Sequence, residues 1–459
     1  METNFPPCRL GLAGLAFLLA FAPLRATAEP TPPAEAARFA LPATDDGLPG
    51  AGPIRRYDWF RQKWLERRTA WAQRVTPDQG AVVFFGDSIT EGWGDDLKGS
   101  FPGLRVANRG ISGDTTRGLL IRLQEDVLAL HPAGIVILAG TNDLEEQAEL
   151  ATSATNLKLM LAAIKAHNPK LPVVLCEVFP SAAAKKRPAE SIQKINTLYA
   201  EAVKGNPQVT LLDTWTLFAD ATGDATGAEF PDLLHPIASG YARWAAALRP
   251  VLATLGLLET EPDAFVPEAG FECLFNGRDL TGWGYRPTTA ADREGARNWR
   301  AADPKGAAAW PFVDQAVAFD GRTATPDGRY VAIAGRLVVT TPTEGRKIQA
   351  LWTTREFPRN FTLKLEFRAT PNADSGIFLR GPQLQCRDYL LAGPYKQLQH
   401  YRAQEWNEIV VTVKDNVAVC TCNGEVLEPA FPLPATGPIG LEGDRGQMEY
   451  RRIRLRELP

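Results

Sequence analysis

The sequence predicts two folds in tandem: a parallel α/β layer covered on both faces, followed by an all-β sandwich. Three features of the 459 residues point to this. Between 81 and 255, five short apolar runs alternate with stretches of helical period, the pattern of strand–helix–strand units. Residues 258–269 lose that period and fill with Glu, Asp and Pro, as a linker does. Beyond 270 the period falls to two, most plainly in Phe361-Thr362-Leu363-Lys364-Leu365-Glu366-Phe367-Arg368.

In chain order, residues 1–28 carry Arg9, an apolar stretch from Leu10 to Leu24 and a small-x-small site, Ala26-Thr27-Ala28. They read as a signal peptide cleaved after Ala28, which implies a secreted or periplasmic protein without stable membrane insertion after cleavage. Residues 29–55, rich in Pro, Ala and Gly, read as a disordered leader. Tyr57, Phe60, Trp64, Arg68 and Trp71 recur at three- and four-residue steps, predicting a helix that packs an aromatic stripe on the first domain. Strands follow at 81–85, 104–107, 135–139, 173–178 and 209–212, with helices over 115–129, 152–167, 189–204 and 238–255, closing a domain over 56–257. In the tail, 270–459, strands are expected at 330–333, 337–340, 361–368, 409–413, 417–422, 425–427 and 450–455. Asn423-Gly424 is a type I′ hairpin signal.

A formal charge of −3, from 50 basic and 53 acidic residues, leaves no basic excess for a phosphate backbone, which argues against nucleic acid as a partner. Of six cysteines, Cys8 leaves with the signal peptide. Cys176, Cys273, Cys386, Cys420 and Cys422 read as free core residues, although one disulfide among them is open. No Cys/His group has metal spacing, and neither metal nor organic cofactor is implied.

The chemistry begins where Ala81-Val82-Val83-Phe84-Phe85 ends in Gly86-Asp87-Ser88. Glycine permits a sharp turn there, so Ser88 stands at the carboxyl end of a buried strand, a position for a nucleophile. A base is needed within reach. Among four histidines, His131 and His167 end helices and His400 lies in the tail, leaving His235. Asp232, three residues earlier, can turn its carboxylate onto that imidazole, or else cap the helix starting near Ala238.

Gly86-Asp87-Ser88-Ile89-Thr90, Asn108-Arg109-Gly110-Ile111-Ser112-Gly113-Asp114, Gly140-Thr141-Asn142-Asp143 and Asp232-Leu233-Leu234-His235 together resemble the SGNH (GDSL) hydrolase family, closest to its platelet-activating-factor acetylhydrolase-like branch, over residues 55–255. The resemblance implies a flavodoxin-like, three-layer sheet order and an esterase. Its catalytic residues would be Ser88 as nucleophile, His235 as base and Asp232 as its orienter. The backbone N–H groups of Ser88 and Gly113 and the Asn142 amide would form the oxyanion hole. Asp87, Asp114 and Asp143 are expected to tie loops to helix N-termini.

The tail resembles the 3-keto-disaccharide hydrolase family, a concanavalin-like jelly roll, through Leu274-Phe275-Asn276-Gly277-Arg278-Asp279-Leu280-Thr281-Gly282-Trp283, Asp374-Ser375-Gly376-Ile377-Phe378-Leu379-Arg380 and Glu405-Trp406-Asn407. Its Glu-x-Gln-x-x-Asp pattern stands here as Gln383-Leu384-Gln385-Cys386-Arg387-Asp388, an amide in place of the first carboxylate. Glu366, Arg380, Gln385, Asp388 and Trp406 are the candidate glycan site of this domain. Trp283, Trp352 and Trp406 could stack on sugars but suit core packing. The expected substrate is an acylated small molecule or glycan, most simply an acetyl ester on a carbohydrate. Two alternatives stand beside this: a glycan-cleaving tail with an auxiliary esterase, and a lipid or phospholipid acyl hydrolase. A third option for the tail is a sandwich that only makes protein contacts.

Overall fold

The computed structural model describes Met1 and residues 38–260, 263–302, 304 and 308–459. The expected signal peptide and the first part of the leader fall outside these. The helix of the aromatic stripe is α1 (Asp58–Ala72). After it come β1 (Val82–Gly86), α2 (Ser88–Glu91), β2 (Val106–Gly110), α3 (Thr116–Asp126) and β3 (Gly134–Leu138). The layer is completed by α4 (Thr141–Glu145), α5 (Leu150–His167), β4 (Val173–Cys176), α6 (Ala189–Val203), β5 (Val209–Leu212) and α7 (Ala238–Thr254). The strands pair in parallel in the order β2-β1-β3-β4-β5, the flavodoxin-like order. Successive side chains of β1, β3 and β4 point to opposite faces of the sheet, and both faces are buried. Val83, Phe85, Ile135, Ile137, Val173 and Leu175 face a core shared with α3, α5 and α6. Val82, Phe84, Val136, Leu138, Val174 and Cys176 face the opposite core, filled by Trp93, Trp244 and Leu248. Apolar burial on both faces is why β1, β3 and β4 read as continuous apolar runs, whereas β2, expected at 104–107, lies at 106–110 because its second half buries the polar Asn108 and Arg109.

Residues 38–55, expected to be disordered, carry no helix or strand, yet they lie against the domain. Arg117 donates to Asp45 at 2.6 Å and to the Gly52 carbonyl at 2.9 Å, and Asn156 donates to the Ala51 carbonyl at 2.9 Å. Anchoring through side chains rather than a repeating ladder leaves no period to read in the sequence. The stripe on α1 also needs correcting: Phe60, Trp64, Arg68 and Trp71 are buried, whereas Tyr57 is half exposed, as is its neighbour Trp59.

The tail holds β6 (Glu272–Cys273), β7 (Trp283–Tyr285), α8 (Ala290–Ala302), β8 (Val317–Ala318), β9 (Tyr330–Ile333), β10 (Arg336–Val339), β11 (Gln349–Thr353), β12 (Phe361–Ala369) and β13 (Gly376–Leu379). These are followed by β14 (Gln383–Gln385), β15 (Asn407–Lys414), β16 (Val417–Cys422), β17 (Glu425–Pro432), β18 (Ile439–Gly443) and β19 (Met448–Glu457). One antiparallel sheet runs β17-β16-β15-β12-β19-β10-β9 with β6 beside β19, and a second runs β14-β13-β18-β11-β7-β8. Their inner faces share one core around Leu337, Leu365, Ile377, Leu441 and Tyr450. Asn423 and Gly424 both have positive φ, 48° and 85°, as a type I′ turn requires. Among the described residues all five cysteines are free, and four are buried. Cys273, expected in the core, is exposed on the two-residue β6.

The two domains touch. Asn372 donates to Asp213 at 2.8 Å, Gln447 to the Pro250 carbonyl at 3.0 Å, and the Gly205 N–H to the Thr343 carbonyl at 2.8 Å. None of the described helices is long and apolar enough to cross a membrane.

Candidate active site

At the carboxyl end of β1 the chain passes through Asp87 into α2, with Ser88 as that helix's first residue. Asp87 accepts the Ile89 N–H at 3.0 Å and fixes the bend. Burial pushes its carboxyl up to about 6. Gly86 does not adopt a left-handed conformation. Glycine is required there for space, since a Cβ would sit 2.2 Å from Thr90 Oγ1 and 2.5 Å from the Leu138 carbonyl. A Cβ on Gly110 would likewise meet the Glu91 N at 2.2 Å. Asn108 ties β2 to α2 and the turn after it, donating to the carbonyls of Thr90 and Gly94 at 2.7 and 2.8 Å. Glu91, which the sequence did not single out, accepts both the N–H and the hydroxyl of Ser112 at 2.6 Å, so the helix that carries Ser88 holds the neighbouring loop directly.

His235 arrives from the loop before α7. Its Nε2 is 2.9 Å from Ser88 Oγ, and its Nδ1 is 2.7 Å from Asp232 Oδ2. The other oxygen of Asp232 accepts the backbone N–H of His235 at 2.7 Å and of Leu234 at 3.0 Å. Partial burial pulls the Asp232 carboxyl upward, but the His235 N–H and ring and the Leu234 N–H outweigh it and hold the group below its ordinary value. Asp232 does not cap α7, whose N-cap is Ile237 with no side-chain bond. The loop is braced by Ser181, which donates to the Leu233 carbonyl at 2.7 Å across a left-handed Leu233 (φ 59°). His131 and His167 sit at element ends with their rings stacked 5.5 Å apart, away from this site.

Gly113 has φ 86° and Asn142 is buried on α4. Among the described residues no acceptor occupies the backbone N–H of Ser88 or Gly113. Asn142 spends one amide hydrogen on the Asp114 carbonyl at 2.8 Å, leaving the other for a ligand. Arg187, buried and not anticipated from sequence, donates to Asn142 Oδ1 at 3.2 Å and to Thr141 at 2.9 Å, which sets which way that amide faces. A lone Arg between helices carries no sequence signal for this. The structural aspartates behave as expected: Asp114 accepts from Thr115 and Arg122, and Asp143 accepts from Thr116 and Ser153.

Residues 84–243 match the GDSL-like Lipase/Acylhydrolase family, and residues 270–456 match the 3-keto-alpha-glucoside-1,2-lyase-like domain. The chain carries a GDSL-like lipase/acylhydrolase domain followed by a 3-keto-alpha-glucoside-1,2-lyase-like domain. It hydrolyses ester bonds. Its first domain is similar to the platelet-activating factor acetylhydrolase IB subunit alpha1 of Pongo abelii, 28% identical over 200 residues, covering 42% of this chain and 84% of that one. It is also similar to the acetylxylan esterase of Geobacillus stearothermophilus, 37% identical over 92 residues, covering 15% of this chain and 42% of that one. Among solved structures, the GDSL-like lipase from Bacteroides thetaiotaomicron is 26% identical with a TM-score of 0.37, covering 40% of this chain and 97% of the other.

In the tail the five candidate residues do not converge. Glu366 is bound by Arg451 and Arg452 on the outer face of β12, and Trp406 lies nearby under the guanidinium groups of Arg368 and Arg451. Arg380 is buried and spent on the carbonyls of Arg359 and Pro434 and on Asn416. Asp388 is buried and accepts from the Asn372 N–H, Tyr401 and Gln404. Gln385 donates to Gln383 on β14. Trp283 is core, donating to the Leu274 carbonyl at 2.7 Å. A cavity of about 900 Å³ instead opens over the second sheet, where Trp352 and Phe378 lie 4.8 Å apart beside Tyr285, Trp310, Arg286 and Glu442. Gln383 donates to Glu442 across Gly376 of the intervening β13, so a carboxylate absent from β14 is present two strands away on β18. Burial, with Asp444 and Asp374 nearby, pushes Glu442 up to about 8.

Proposed function

We propose that this chain is an exported serine esterase that removes an acyl group, most simply acetyl, from a carbohydrate hydroxyl. Ser88, His235 and Asp232 do the chemistry, and Ser88, Gly113 and Asn142 bind the oxyanion. The observation that carries this reading is the continuous chain of contacts from Ser88 Oγ to His235 Nε2 and from His235 Nδ1 to Asp232. Asp232 holds the Nδ1–H tautomer, leaving the Nε2 lone pair toward Ser88. As Oγ attacks the ester carbonyl, its proton passes to Nε2, and the carbonyl oxygen gains charge against the three donors. Collapse expels the alcohol, which takes the proton from Nε2 and leaves an acyl-Ser88 ester. Water, deprotonated by the same nitrogen, attacks that ester and releases the carboxylic acid.

A fluorophosphonate probe tests this. It is expected to label the peptide containing Ser88 and to abolish hydrolysis of p-nitrophenyl acetate. Ser88→Ala should lose both the label and the activity. Labelling elsewhere with activity lost, or turnover surviving in Ser88→Ala, rules the assignment out.

The cavity beside Trp352 and Glu442 supports a glycan-holding role for the tail, because an aromatic pair edged by an acid and Arg286 suits a sugar ring with its hydroxyls. Binding of xylooligosaccharides, lost in Trp352→Ala, checks it. A sandwich that retains all binding after that substitution does not use this cavity.

A further inference from the structure

We propose that the N-terminal edge of the first domain forms the subsite for the alcohol part of the ester, and that its ligand is a neutral pyranose unit. This rests on the esterase reading of Ser88. The ring of Trp59 lies directly over the oxyanion loop, since a Cβ placed on Gly113 would sit 2.5 Å from Trp59 Cη2 and 3.1 Å from Arg55 Nη1. Tyr57 stands beside it, with ring centroids 6.3 Å apart and planes within 12° of parallel. The two rings are 53% and 50% exposed, while every other aromatic residue of α1 is buried, so this pair is not holding the core together. Together they form one wall of a cavity of about 460 Å³.

The remaining walls are polar. Arg55 is buried and donates to Glu145 and, at 2.7 Å, to Glu146. Glu145 also accepts from Arg187 at 2.8 Å, and Arg187 in turn holds Asn142. One hydrogen-bonded network therefore runs from the aromatic wall to the oxyanion amide. Gln147 and Lys186 complete the rim, and both have left-handed backbones, φ 55° and 59°, the kind of strain that clusters at functional sites. An aromatic face opposite paired charges, with acceptors and donors side by side, matches a pyranose, whose C–H face is apolar and whose edge is ringed by hydroxyls. A long acyl chain would find no continuous apolar wall here. The four charged side chains that line the cavity, Arg55, Lys186, Glu145 and Glu146, sum to zero, which suits an uncharged ligand.

The test compares the intact chain with Tyr57→Ala, Trp59→Ala and the aromatic replacements Tyr57→Phe and Trp59→Phe. Three substrates serve: methyl tri-O-acetyl-β-xylopyranoside, phenyl acetate and a short-chain 2-acetyl glycerophospholipid. The ratio of kcat/KM for the acetylated pyranoside to that for phenyl acetate should fall at least tenfold in the alanine variants and stay within threefold in the phenylalanine ones. In parallel, saturation-transfer NMR on the Ser88→Ala background, using ester-free methyl β-xylopyranoside, should show contact that Tyr57→Ala removes. An unchanged ratio in both alanine variants overturns the proposal. So does a larger loss on the phospholipid than on the pyranoside, or sugar contact that survives Tyr57→Ala. Because the NMR arm needs no turnover, it still reports on the subsite if Ser88 proves not to be the nucleophile.

Discussion

At the scale of single residues the site depends on orientation more than on composition. Asp232 uses one oxygen for the imidazole and the other for two backbone N–H groups, so its carboxylate cannot swing away from His235 without breaking three bonds. Asp232→Asn keeps that shape but lets the amide stabilise the wrong imidazole tautomer. Turnover of p-nitrophenyl acetate should fall by about 10⁴-fold with little change in melting temperature. Arg187 acts one step further out, through Asn142. Arg187→Lys removes the planar fork that reaches Thr141, Asn142 and Glu145 at once. It should lower kcat roughly tenfold while KM for the aryl ester moves little, because the amide it aligns is the one proposed to meet the developing oxyanion. A rise in KM at constant kcat would place Arg187 in substrate binding instead. Ser88, His235 and Asp232 were legible in the sequence because a buried strand end, a histidine left over by elimination and a three-residue offset each leave a local trace. Arg187, Glu91 and Trp59 were not, because what gives each its role is a partner 21 to 54 positions away.

At the scale of elements, the strand ends are packed so closely that glycine is obligatory. Gly86→Ala must push into Thr90 and the Leu138 carbonyl, and Gly110→Ala into the backbone of Glu91. Each should cost about 3 kcal/mol in urea unfolding, the upper range for overpacking. The parallel layer was readable almost strand by strand because both its faces are apolar. In the tail the first sheet was readable and the second was not. Its strands β7, β8, β11, β13, β14 and β18 are two to five residues long, and Gly284, Gly376, Gly440 and Gly443 interrupt the alternation of β7, β13 and β18. Those glycines answer to neighbours such as Trp352, which would lie 2.6 Å from a Cβ on Gly440. This same sheet holds Glu442, and its titration can be predicted. In the unfolded chain the carboxyl loses its proton near about 4.5, but burial in the fold delays that loss to about 8. The folded state therefore binds more protons across that interval, and stability should fall as pH rises through it. Glu442→Gln should flatten the dependence of melting temperature between pH 5 and pH 8. A slope unchanged by the substitution would assign it to other groups.

At the scale of the whole molecule, the question is whether the first domain needs the second. The cores on its two sheet faces lie within residues 81–258 apart from Leu391, which packs against one of them from the tail, and the cluster under α1 lies within residues 41–121. The contacts between the domains include three hydrogen bonds, from Asn372 to Asp213, Gln447 to Pro250 and Gly205 to Thr343. At about 1 kcal/mol net for each hydrogen bond, losing them is a modest fraction of a domain's stability. Separation also opens to water the cleft where Glu177 and Asp213 face Pro371 and Asn372; the Glu177 carboxyl is raised well above its ordinary value by burial and by Asp213 beside it. Hydrating that pair offsets part of the loss. A chain ending at Thr260 should therefore fold with a melting temperature lower by several degrees and keep its kcat/KM on p-nitrophenyl acetate within about threefold. On an acetylated polysaccharide it should lose far more. A sandwich that holds the polymer keeps acyl groups near Ser88 by raising their effective concentration, without contributing to the transition state. Equal loss on both substrates would make the tail a structural support for the esterase, and equal retention on both would remove its role in holding glycan.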